Sequence, residues 1–386
     1  MANLLGSRPR LAIVGASVRA AAQSASRAGL DVVAADLFAD ADLREVGPAT
    51  QIEDYPSGFC SWLEGVEADA WMYTGGLERW PALIDRMARL KPLWGVCGAP
   101  LRSARDLQIL HAALAEAGIG FPETRPSSAS LPLDGSWLCK ADRVWELDRP
   151  NAAAAGLERG AVYQRRLTEQ QGRPASVVFV LGDTWARTVG VTEQLIGPRH
   201  GAAPFQYAGS VGPLEVGRAV ERQLKRLRET LRHDFELRGV VGVDLWLSDD
   251  EFWVLEVNPR YTASVEVLEL SGATPVLGLH SLAFANEAPA NALPASQPAR
   301  APAKKQILYA RRALYVPDSV QLGAASPGMG ENAAWLADLP AGGQRFEPGD
   351  PILTVIARGG LAESSAFARF VAETESRLYG ATPTPE

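Results

Sequence analysis

From Val241 to Asn258 apolar and polar residues alternate with the period of a strand, twice over, and a short polar turn separates the two runs. Val241, Val243, Leu245 and Leu247 fall on one face of the first run, with Gly242, Asp244 and Trp246 on the other. In the second run Trp253, Leu255 and Val257 alternate with Val254, Glu256 and Asn258. A three-residue loop from Asp249 to Glu251 pairs Ser248 with Phe252. That register sets Val243 against Val257, Leu245 against Leu255 and Leu247 against Trp253, which makes one face apolar throughout. The other face carries Asp244 directly opposite Glu256, with Cα atoms roughly 4.5 to 5.5 Å apart, and Asn258 further along it.

The same reading finds elements elsewhere. Arg10 to Val14 is a buried strand, an alanine-rich helix runs to Ala28, and Asp31 to Asp36 is a second strand, which together make a strand-helix-strand unit. Ala68 to Tyr73 is a further strand ending at the turn Thr74-Gly75-Gly76, the end of an open α/β sheet at which ligands bind. Trp80 to Leu90 and Asp106 to Ala117 are expected to be helices and Leu93 to Cys97 a short strand. Val220, Leu224, Leu227 and Leu231 recur at helical spacing within Glu215 to Arg238, with the basic residues on the other faces. Thr192 to Gly197 and Pro204 to Gly209 are read as glycine-punctuated loops that close over a substrate, with His200 and Tyr207 as candidate contacts.

Composition narrows the class. The 386 residues exceed one ordinary core, and 47% hydrophobic with 22% charged residues is ordinary for a globular chain. A net charge of -7 argues against broad nucleic-acid binding. Cys60, Cys97 and Cys139 are scattered, without a paired spacing, which points to reduced thiols and no structural zinc. The chain shows neither a signal-peptide pattern nor an apolar run of about 18 residues, so a cytoplasmic location away from membranes is expected.

Opposed carboxylates repel, and a divalent cation between them resolves the repulsion. Magnesium prefers hard oxygen ligands and shares one or two carboxylates with nucleotide phosphates, so Asp244, Glu256 and Asn258 are candidate magnesium ligands. Pro259 ends the strand and aims Arg260 beyond it, where a planar fork suits a phosphate or a carboxylate. Gly15-Ala-Ser17 lacks the full Gly-x-Gly-x-x-Gly fingerprint, which counts against a dehydrogenase; Ser17 and Arg19 remain candidates for substrate binding.

This hairpin resembles the metal-binding strands of the ATP-grasp superfamily, and the resemblance extends upstream. Trp137-Leu-Cys-Lys140 is similar to the strand whose terminal lysine reaches the ATP phosphates, and Val162-Tyr-Gln-Arg-Arg-Leu167 to the strand and linker against which adenine lies. Asp69 to Glu78 and Arg105-Asp106 resemble a branch of ATP-dependent carboligases with relatives linked to one-carbon carrier cofactor biosynthesis. The resemblance implies an α/β fold of ATP-grasp architecture: a Rossmann-like domain over residues 1–105, a two-lobed ATP-binding core over 106–290, an Ala/Pro-rich linker over 291–303 and a small α/β module over 304–386 that completes the ATP lobe. It implies ATP and Mg2+ as cofactors, Lys140, Gln164, Arg165, Leu167, Arg105 and Glu193 as nucleotide contacts, and Arg260 with Lys140 as catalytic residues.

The implied activity is an ADP-forming carboxylate-amine ligase acting through an acylphosphate, in methanofuran- or methanopterin-type cofactor biosynthesis. Its partners are a small-molecule carboxylate and amine, with neither nucleic acid nor membrane, and a homodimer stays open. Acid-thiol ligation and an inactive nucleotide-binding regulator are the alternatives. The pattern departs at Leu107, where a second lysine is common, leaving Arg105 or Arg102 for the α-phosphate, and at Arg165, where an acidic residue is common, leaving Glu169 or Glu193 for the ribose.

Overall fold

The computed structural model describes residues 8–128, 130–141, 144–148, 161–272, 274–285, 301–316 and 332–381. Three larger sheets divide the work. Near the N-terminus, β1 (Arg10–Val14), β2 (Asp31–Asp36), β3 (Ala49–Gln51) and β4 (Ala70–Tyr73) form a parallel sheet in the order β3-β2-β1-β4. Leu11 to Val14 and Ala70 to Tyr73 are buried, because helices pack on both faces of a parallel sheet and leave no polar side. Leu93 to Cys97 is not a strand; it makes only an isolated bridge from Leu93 to Trp71. The helix Gly98–Arg105, which the pattern did not announce, follows at once.

A small antiparallel sheet comes next, of β5 (Thr124–Arg125), β6 (Asp134–Lys140), β7 (Val144–Asp148) and β8 (Val162–Arg165), in the order β5-β8-β6-β7. Trp137, Cys139, Leu147 and Tyr163 form its buried face. Strand alternation therefore turns Leu138, Lys140 and Gln164 to the other face.

The large sheet has β9 (Arg173–Leu181), β10 (Ala186–Ile196), β11 (Tyr207–Gly212), β12 (Gly239–Leu247) and β13 (Phe252–Asn258), extended by β14 (Ala303–Tyr309), β16 (Ala333–Ala337) and β18 (Pro351–Arg358); β15 (Leu314–Tyr315) and β17 (Arg345–Phe346) pair apart from it. Its order is β13-β12-β9-β10-β11-β14-β18-β16, so strands from beyond residue 303 continue the sheet that holds the hairpin. Of the expected linker, residues 291–300 lie outside the described residues, and Ala303 already belongs to β14.

One face of this sheet, with Val177, Phe179, Val243 and Leu245, packs under the helix Arg218–His233 through Val220, Leu224, Leu227 and Leu231. The opposite face, with Val178, Val180 and Val240, packs against Val265 and Leu268 of the helix Ala263–Leu270. The segments expected to be loops prove largely to be β10 and β11. Their polar residues Thr192, Gln194 and Ser210 are buried on this second face, and Gly209 lies so close to β14 that a Cβ would stand 2.1 Å from the Lys305 carbonyl oxygen. Polarity and glycine here record a crowded strand interior rather than a loop.

The hairpin register is also corrected. Val243 pairs with Val257 and Asp244 with Glu256, but a bulge between Asp244 and Leu245 pairs Leu245 with Val254 and Leu247 with Phe252. The extra residue is Leu255. Slipping the strand by one position buries Phe252 and Val254 completely, a gain of about 1.5 to 3 kcal/mol for each side chain.

Candidate functional site

The carboxylates of Asp244 and Glu256 stand side by side at the start of the bulge. Asn258 Nδ2 donates to Asp244 Oδ2 and Glu256 Oε1, each at 3.0 Å, so an amide NH2 occupies the space between the two acids. The other oxygen of Asp244 accepts from Gln194 Nε2 at 2.7 Å. Burial, and then the charge of Glu256, pushes Asp244 up to about 7. Burial also opposes ionisation of Glu256, yet Arg105, Lys140 and the Asn258 amide hold it down at about 2.

Cations reach the pair from three elements. Lys140, at the end of β6, points its Nζ at the carbonyl of the bulged Leu255, 3.4 Å away. Burial lowers its pKa, while Glu256 and Asp244 hold it up. Arg105, at the end of its helix, donates from Nη1 to the Val257 carbonyl and to Asn258 Oδ1, both at 3.1 Å, and stands 3.7 Å from Glu256. Arg260 donates from Nη2 to Asn258 Oδ1 at 3.2 Å and to Glu78 Oε1 at 2.6 Å.

Asp244, Glu256, Asn258, Arg260, Lys140 and Arg105 thus meet in one place, and Gln164 shares the Lys140 face of the small sheet. Leu167 is half buried on the linker after β8. Two candidates point elsewhere. Arg165 turns to the opposite face of the small sheet, with its guanidinium over the Trp137 ring at 5.8 Å. Glu193 lies on the Arg218–His233 face of the large sheet, 3.8 Å from Arg173, because strand alternation gives the Asp244 face to its neighbour Gln194. Arg102 pairs with Asp85, and Glu169 with Arg199 at 3.2 Å. Arg19 is buried in an ionic cluster with Glu266, Asp42 and Asp338, which ties it to the fold instead of to a substrate.

Sequence reasoning missed Gln194 and Glu78. A period-two count along β10 finds Gln194 once the segment is taken as a strand; nothing local marks Glu78, which meets Arg260 only through the fold. His111 stacks on Phe121, a packing role.

The donor set suits a hard divalent cation. Asp244 and Glu256 supply anionic oxygens, the raised pKa of Asp244 marks a carboxylate short of positive charge, and Asn258 joins as a ligand only by turning its amide oxygen inward. Among the described residues no cluster of three His, Cys, Asp or Glu side chains forms, so phosphate oxygens and water would have to complete an octahedron.

The family model of the ATP-grasp domain matches residues 138–264. A search of curated protein sequences finds no match. Among solved structures, the chain is similar to N5-carboxyaminoimidazole ribonucleotide synthetase from Thermus thermophilus, with 17% identity, 97% of this chain and 100% of that chain covered, and a TM-score of 0.66. It is similar to the biotin carboxylase domain of a single-chain bacterial carboxylase, with 16% identity, 95% and 89% covered, and a TM-score of 0.67. It is also similar to N5-carboxyaminoimidazole synthase from Aspergillus clavatus in complex with ADP and 5-aminoimidazole ribonucleotide, with 14% identity, 96% and 99% covered, and a TM-score of 0.66. The fold is the ATP-grasp fold across nearly the whole chain. No helix among the described residues is long and apolar enough to cross a membrane.

Proposed function

We propose that the protein is an ATP- and magnesium-dependent ligase that joins a carboxylate to an amine through an acylphosphate. The observation that carries this reading is the Asp244–Glu256 pair, an opposed, half-buried acidic couple ringed by Lys140, Arg105 and Arg260. Phosphoryl transfer asks a protein mainly for positioning and charge neutralisation, and this ring offers both. A magnesium ion held by Asp244 and Glu256 would neutralise charge on the phosphates.

Lys140 closes on the phosphates from the small sheet, and Arg105 takes the place of the second lysine. An oxygen of the substrate carboxylate attacks the γ-phosphorus, the bond to the β-phosphate oxygen breaks, and ADP leaves. An amine then attacks the acyl carbon and inorganic phosphate departs. Arg260 is positioned to hold the acyl group, although Glu78 already occupies part of its fork. Gln164 and Leu167 flank the adenine. The substrates are small molecules met in the cytoplasm, and the resemblance of Asp69 to Glu78 and Arg105-Asp106 to the carboligase branch favours methanofuran- or methanopterin-type cofactor biosynthesis as the setting.

A crystal structure with magnesium and a non-hydrolysable ATP analogue tests the reading. Phosphates between Lys140 and the Asp244–Glu256 pair are expected; a nucleotide bound elsewhere, or none, would overturn it.

A further inference from the structure

Among the described residues, three polar atoms with no partner cluster on the far side of Arg260. Glu78 is 6% exposed, and while its Oε1 accepts from Arg260, its Oε2 is buried without a partner. The hydroxyl of Tyr55 and the Nε of Arg260 are in the same condition. Tyr55 is pushed up to about 12 by burial and then by the charge of Glu78, with Arg260 acting against it, so phenol, carboxylate and guanidinium form one electrostatic group. A buried carboxylate oxygen left unmatched is costly, and its persistence calls for a donor that the protein does not supply.

Gly75 and Gly76, at the end of β4, lie directly against this group. A Cβ on Gly75 would stand 3.5 Å from the Arg260 guanidinium carbon. At Gly76, whose φ of +96° already favours glycine, a Cβ would stand 2.6 Å from the Tyr55 hydroxyl. The Tyr55 ring is fixed edge-on against Phe59 and Trp80, at centroid distances of 5.6 and 5.5 Å. The hydroxyl is therefore held in place rather than free to find another partner.

We infer that Glu78 and Tyr55 form the seat of the amine substrate. This inference rests on the ligase reading and adds the class of ligand this corner takes, a primary amine. Glu78 Oε2 accepts an N–H of the amine, and Tyr55 takes a second polar contact. Arg260 Nη2 bonds to both Glu78 and Asn258, and Asn258 bonds to the acids, which places the seat three hydrogen bonds from the acidic pair and beside the group that holds the acylphosphate. The nitrogen lone pair forms the C–N bond, the bond from the acyl carbon to the phosphate oxygen breaks, and the surplus proton leaves with the phosphate. Glu78 acts by seating the amine and not as a base. Burial opposes its ionisation, but the charge and hydrogen bond of Arg260 outweigh burial and keep its pKa low.

The test uses methylamine as the probe. In crystals of the full chain soaked in methylammonium chloride, the nitrogen is expected within hydrogen-bond distance of Glu78 Oε2 and the Tyr55 hydroxyl. A water there in place of the amine, or the amine bound only elsewhere, overturns the inference, and this readout needs no turnover. In ligation assays Glu78→Gln is expected to raise the KM for methylamine about tenfold, well beyond any change in the KM for ATP, while equal changes in both overturn the inference. Tyr55→Phe, which keeps the ring packing, is expected to raise the same KM several-fold and guards against a Glu78 variant that does not fold. Amine bound at Glu78 without any ATP-dependent ligation would instead count against the ligase reading alone.

Discussion

Arg105 donates from Nη1 to Asn258 Oδ1 at 3.1 Å, which fastens the end of the helix Gly98–Arg105 to the strand that carries Glu256. On the proposed reading, Arg105 takes the role of the lysine that the ATP-grasp pattern lacks at Leu107. Arg105→Ala is expected to weaken Mg-ATP binding roughly ten- to a hundredfold, the order expected when a charged hydrogen bond to phosphate is lost. Calorimetry showing unchanged affinity would remove Arg105 from the nucleotide site.

Glu256 is the more acidic member of the pair, held ionised by Arg105 and Lys140 against its burial. Glu256→Gln keeps the shape and removes the charge, so the fold should persist while ADP formation falls at least about a hundredfold. Circular dichroism and an ADP assay measure the two halves, and wild-type turnover in the variant would refute the metal assignment.

Lys140 approaches the same pair from the small sheet and donates to the Leu255 carbonyl at 3.4 Å. Lys140→Ala should raise the Kd for Mg-ATP roughly ten- to a hundredfold with little change in melting temperature. A large loss of stability with intact affinity would make the lysine structural.

His280 offers a test of the fold. Its Nδ1 accepts from the Val240 amide at 2.9 Å and its Nε2 faces the Trp94 carbonyl at 3.2 Å, so the ring is neutral, and burial depresses its pKa to about 4. The unfolded chain binds a proton near pH 6.5 that the folded chain refuses until about pH 4, so this contribution is full above pH 6.5 and is lost as pH falls toward 4. Between pH 7 and pH 5 the loss is roughly 2 kcal/mol. Buried Asp40, raised to about 9 by burial and then by Asp338, pulls the opposite way over that range. The comparison that isolates His280 is therefore wild type against His280→Gln in urea unfolding at the two pH values, and equal pH dependence in the two proteins would contradict the assignment.

Period-two alternation was enough to set Asp244 against Glu256, because those residues precede the bulge; it failed from Leu245 onward, where burying Phe252 and Val254 outweighs a regular ladder. The β10 and β11 strands were obscured because their second face is buried yet polar, with Thr192, Gln194 and Ser210 at 9% exposure or less. Strand alternation along β10 turns Glu193 away from Asp244 and gives that face to Gln194, a distinction that emerges only once the segment is taken as a strand. Glu78 lies 182 positions from Arg260, and no local pattern carries a contact of that range.

The central claim is activation of a carboxylate by transfer of the γ-phosphoryl group. Its most direct test supplies Mg-ATP, a panel of small carboxylic acids and hydroxylamine to trap the acylphosphate, with phosphorus NMR to identify the nucleotide product. ADP and inorganic phosphate formed in step with a hydroxamate are expected, with no such product from Glu256→Gln. AMP and pyrophosphate as the products, or no acid-dependent nucleotide turnover across the panel, would contradict it.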